Sequence, residues 1–73
     1  MRPAGTAEEL RARLKQMQEP LRKFLPQPCL KLMGELQQKR WPEEFGNDLA
    51  GLDRQLRKCR LAEAAAIVER MLQ

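Results

Sequence analysis

The sequence predicts an all-α protein, a small bundle of three to four short helices arranged as antiparallel hairpins. Two observations carry that expectation. Leu, Ala, Glu, Arg, Lys, Gln and Met dominate the 73 residues, and all are good helix formers. Ile67, Val68 and Thr6 are among the very few β-branched residues, which argues against a sheet. A third observation sets the number of elements: apolar residues recur at spacings of three and four in separate runs, divided by Pro and Gly.

The first helix has a marked start. Thr6 stands three residues before Glu9, the spacing of a capping box in which the hydroxyl and the carboxylate satisfy orphan amides reciprocally. Leu10, Leu14, Met17, Leu21 and Phe24 then form one apolar stripe. Pro20 interrupts it and predicts either a kinked helix reaching about Leu25 or a stop near Gln18 with a new start. "PQP", Pro26 to Pro28, reads as a Pro-rich hinge that ends the element.

A second helix is expected from near Pro28 to Lys39. Leu32 and Leu36 form its face, with Cys29 and Met33 as further candidates. "KRWPEEF" follows. Pro42 is suited to a first helical position, and Glu43 and Glu44 would sit in the first turn, where the helix dipole favours negative charge. The third stripe is Phe45, Leu49, Leu52, Leu56 and Cys59, with "PEEF" either opening the helix or forming a separate turn. The last stripe, Leu61, Ala65, Val68 and Leu72, with Ala64 and Met71 beside it, is offset from the third. Either the chain turns at a short corner near Arg60, the favoured reading although no Gly or Pro enforces it, or one long helix shows two apolar faces to two partners.

The segments "QQKRWPEEF" and "LRKCRLAEAA" each place a basic tip before a bulky apolar residue and a Glu-bearing start. Over about half the chain this resembles helical-hairpin repeats of the tetratricopeptide type, without their 34-residue pattern. The resemblance implies helical hairpins. Repeats of that kind need about three units to be stable.

Length allows a single domain over residues 1–73, with roughly the first five residues flexible. A chain this short buries only about 60% of the surface its unfolded form exposes, so a partner or a second copy would add needed burial. Charge is uneven. Residues 1–40 hold nine basic and four acidic side chains, hence +5, and residues 41–73 hold five and six, hence −1.

Chemistry is sparse. The chain has no His, Ser or Tyr, so neither a Ser-His nor a Cys-His nucleophile pair can form. Cys29 and Cys59 alone make a poor zinc set, and no phosphate-binding, dinucleotide or EF-hand motif is present. Glu43 and Glu44, or Asp48 and Asp53, read as first-turn and surface acids rather than a catalytic pair. The expectation is therefore no enzyme, no cofactor and no metal site. The N-terminus lacks an apolar signal-peptide core and no run is long enough to span a membrane, which suggests a cytoplasmic protein with reduced thiols, a single bridge being the other option.

The function these features favour is non-catalytic: an adaptor, small chaperone or assembly subunit that contacts another protein, or a second copy, through apolar helix faces. The expected interface residues are Leu14, Met17, Leu21 and Phe24, with Trp41 and Phe45 at the following corner. Trp41 can serve either as core or as an interface anchor. The alternative is a small basic nucleic-acid-binding regulator, dimeric, using the patch Arg54, Arg57, Lys58 and Arg60.

Overall fold

A computed structural model describes residues 3–73. Among them are four helices: α1 (Ala7–Arg22), α2 (Pro26–Leu36), α3 (Gly46–Arg57) and α4 (Leu61–Leu72). A single 3-10 turn, Glu43–Phe45, leads into α3. Three-residue corners join α1 to α2 and α3 to α4, so each pair is an antiparallel hairpin. The two hairpins close into one bundle, in which α1 packs on both α2 and α4, and α3 on both α4 and α2.

Thr6 caps α1, its hydroxyl accepting from the Glu9 N–H at 3.1 Å. Only that half of the expected capping box forms. The Glu9 carboxylate instead pairs with Lys39 on the connector between the hairpins. Pro20 does not break α1. It lies in the last turn, and Gln16, whose carbonyl loses its helical donor, is an exposed residue.

Pro26–Pro28 is not a hinge between helices but the first turn of α2. The first-turn amides of a helix have no intrahelical acceptor, so prolines there remove donors that would otherwise need a cap. That fits an N-cap, Leu25, with no side-chain hydrogen bond. The helix then ends at Leu36 rather than Lys39.

Both hairpin corners are the same motif. Phe24 lies at φ 55° and Cys59 at φ 57°. After α1, Phe24 N–H donates to Leu21 C=O (3.1 Å) and Leu25 N–H to Pro20 C=O (2.9 Å). After α3, Cys59 N–H donates to Leu56 C=O (3.1 Å) and Arg60 N–H to Gln55 C=O (2.9 Å). This is the Schellman arrangement, which places its left-handed residue just past the helix and usually recruits Gly for it. Here the corner expected near Arg60 is made by a cysteine.

The two corners lie 35 residues apart, and so do the ends of α1 and α3 and the starts of α2 and α4. The hairpins are therefore built on one plan. Laid on 42–71, residues 7–36 match at Glu8/Glu43, Glu9/Glu44, Leu14/Leu49, Leu21/Leu56, Arg22/Arg57 and Lys23/Lys58. The pairing of "QQKRWPEEF" with "LRKCRLAEAA" is a different register, offset by about 19, and is not the repeat the fold displays. Nor do the hairpins stack as an open array, since α4 returns to pack on α1.

One core serves both units. Leu10, Leu14, Met17 and Leu21 enter it from α1, Cys29, Met33 and Leu36 from α2, Leu52 and Leu56 from α3, and Leu61, Ala64, Val68 and Met71 from α4. On α4 the buried line runs through Ala64 and Met71, leaving Ala65 and Leu72 half-buried at its margin. Phe24 and Cys59, expected at the ends of their stripes, are exposed, because a left-handed residue leaves the helical period. Cys29 is buried and Cys59 exposed, and both are free thiols.

Candidate functional site

The two units are joined by residues 37–42, and this connector holds Trp41. Its indole N–H donates to Leu36 C=O at 2.7 Å, which fixes the ring against the end of α2. The N-terminal segment then crosses it. Gly5 N–H donates to Arg40 C=O and Arg40 N–H to Pro3 C=O, both at 2.8 Å, forming a parallel bridge of Ala4 with Arg40. A Cβ on Gly5 would come within 2.2 Å of the Trp41 ring, so only glycine lets the backbone lie this close. Thus Pro3–Gly5, placed by sequence in a flexible end, are tied to the connector; Met1 and Arg2 lie outside the described residues.

Trp41 is consequently half structural. It packs against the core from a half-buried position, and part of its surface remains open. It lines a groove of about 560 Å³ at the seam between α2 and α3. Met33 and Leu36 contribute from α2, and Gly46, Leu49, Ala50 and Asp53 from α3. A second hollow of about 270 Å³, bounded by Pro3, Arg13 and Glu35, also reaches Trp41.

The shared plan explains why the groove exists. The repeat-related seam, between α4 and α1, carries Arg11 and Lys15 where α3 carries Gly46 and Ala50. Gly46 and Ala50 are four apart, hence on one helix face. A Cβ on Gly46 would meet no atom within 4 Å. Small residues thus hollow the α3 wall, while the connector props the seam with an indole. Of the charges at the mouth, Lys39 is engaged by Glu9 and Asp53 by Arg57 (3.1 Å). Arg40 and Glu43 form no ion pair among the described residues.

The expected interface residues separate into two groups. Leu14, Met17 and Leu21 are 1%, 0% and 2% exposed and offer no surface in the closed bundle. Replacing Met17 and Leu21 by Glu would test the fold rather than a contact. Phe24 is 66% exposed, Trp41 lines the groove, and Phe45 is half-buried against the core. Arg54, Arg57, Lys58 and Arg60 are all exposed around the α3–α4 corner, with Arg57 held by Asp53. Leu25 and Leu30, which no stripe had singled out, are 46% and 41% exposed.

Among the described residues no group of three or more His, Cys, Asp or Glu side chains could hold a metal ion. No helix among the described residues is long and apolar enough to cross a membrane. Burial pushes the Cys29 thiol above its ordinary value, so it stays protonated and unreactive. No protein-family model matches this chain, and searches of curated proteins and of solved structures gave no match.

Proposed function

We propose that this chain is a non-catalytic protein-binding module, an adaptor or assembly subunit, whose contact site is the Trp41 groove. The supporting observation is the inequality of the two seams. The α4–α1 seam leaves a hollow of about 180 Å³ between Gln18, Arg22 and Glu69, whereas the α2–α3 seam, with Gly46 and Ala50 beside an anchored Trp, leaves one of about 560 Å³. Apolar concavities with a rigid aromatic wall and a polar mouth are the usual form of a protein-recognition pocket.

The test uses the seam's own counterpart. Ala50→Lys introduces the residue that the other unit carries at Lys15, on an exposed helical position. The immobilised chain, wild-type or variant, is exposed to lysate of the source cells with and without nuclease treatment. Proteins retained by the wild type and lost by the variant, with unchanged thermal unfolding, support the groove. An identical retained set for both chains overturns it, and retention that disappears with nuclease transfers the function to the basic corner.

A further inference from the structure

We infer that the Trp41 groove accepts the Phe24 corner of a second copy of this chain, so that copies associate head to tail; this rests on the groove being a protein site. The corner is the groove's opposite in shape and position. Phe24 and Leu25 project from the end of the first hairpin, 66% and 46% exposed, and line neither of the two hollows that reach Trp41.

Phe24 is also conformationally costly. A bulky residue at φ 55° is an outlier, and Gly is the usual occupant of this turn. The strain is not offset by burial within the chain, since two-thirds of the side chain faces solvent. Strained residues persist where function requires their geometry. Here the left-handed turn lifts an aromatic ring off the α1 stripe and presents it outward. The equivalent corner of the second unit carries Cys59 and Arg60, so each chain has one aromatic corner.

Charge agrees with this pairing. Arg22 beside the corner, and Lys31 on α2, form no ion pair among the described residues. Glu43 at the groove mouth and its neighbour Glu44 are likewise unpaired, two carboxylates against the single unpaired cation, Arg40, that lines the groove. The corner belongs to the +5 portion of the chain, and the α3 wall to the −1 portion. Docking would bring the free cations of one copy toward the free carboxylates of the next. Because the two surfaces differ, the contact is heterologous, and a docked pair keeps one donor on one copy and one acceptor on the other, open to further copies.

Light scattering across a concentration series, at low and high salt, tests this. The wild-type mass should rise with concentration, and less so at high salt. Phe24→Gly removes the donor while suiting the turn. It should weaken association by roughly thirtyfold or more, the loss expected for a central aromatic anchor. Gly46→Phe fills the acceptor, and Ala50→Lys serves as a second acceptor variant should Gly46→Phe fail to fold. Each single variant should be monomeric, and a mixture of donor and acceptor variants should stop at two chains.

A wild type that stays monomeric, or a Phe24→Gly variant that associates as the wild type does, overturns the inference. If lysate capture is then still sensitive to Ala50→Lys, only self-docking falls. If capture is insensitive as well, the groove reading falls with it.

Discussion

Gly5→Ala should destabilise this protein although alanine is, in general, the more stabilising residue. The new methyl would sit 2.2, 2.5 and 2.8 Å from three carbons of the Trp41 ring. The ring cannot swing away cheaply, because its N–H is bonded to Leu36 C=O at 2.7 Å. The N-terminal segment must lift instead, giving up the two 2.8 Å hydrogen bonds that join it to Arg40. At a net value of roughly 0.5–1.5 kcal/mol each, their loss amounts to about 1–3 kcal/mol. Alanine narrows the unfolded ensemble and returns about 0.4–1 kcal/mol. The expected net loss is centred on about 1.3 kcal/mol, with a ceiling of about 2.6 kcal/mol, and in a domain of this size each kcal/mol moves Tm by about 4–8 °C.

Thermal unfolding followed by far-ultraviolet circular dichroism measures this, and Trp41 emission, shifting red as the ring becomes wetter, reports the lifted segment. Gly46→Ala is the internal control. Its φ is −59° and its Cβ would meet open space, so it should gain roughly 0.5–1 kcal/mol. The two substitutions should move Tm in opposite directions. If Gly5→Ala matches or exceeds the wild type, the account of Trp41 as a ring clamped by the crossing backbone is refuted.

Cys59→Gly should stabilise by about 0.5–1 kcal/mol, since it relieves a left-handed cysteine at an exposed corner; an unchanged Tm would mean the turn is unstrained. In the native state one thiol, that of Cys59, should react promptly with Ellman's reagent, and Cys29 only on unfolding. Burial raises the folded pKa of Cys29 above its ordinary 9.0, so the unfolded chain loses that proton first. Its contribution to stability is complete below pH 9.0 and declines above it, until the folded thiol also ionises. Urea unfolding at pH 8 and pH 10 should show a smaller alkaline loss in Cys29→Ala than in wild type.

Much of the fold was legible because spacing is a local property. Leu10, Leu14, Met17 and Leu21 recur with the helical period, and all four are core. The corner near Arg60 was visible from the offset of two stripes, with no Gly needed to mark it. Phe24 was misplaced because it continues the numerical period of α1, whereas the chain has already left the helix in space. The start of α2 was misplaced because Pro26 looks like a terminator until its position in a first turn is known. The 35-residue correspondence of the hairpins is faint in the sequence because six matches in thirty positions are dispersed, while buried positions, not identities, carry it. The groove had a faint signal in Gly46 and Ala50, small residues four apart. A hollow, however, is defined by what surrounds it, and Trp41, Met33 and Leu36 reach it from other elements.

The repeated hairpin plan has a bearing on how such a small chain can differentiate its surfaces. Two separate identical hairpins related by a twofold axis would be obliged to form two identical seams, and any hollow opened in one would weaken both. Joining them through residues 37–42 makes their meeting intramolecular, at an effective concentration of order millimolar for a short connector. It also releases each half from its twin. One seam can then close further and bear more of the stability, and the other can be left more open. In a protein of 73 residues, that freedom from symmetry is what makes room for an unfilled surface at all.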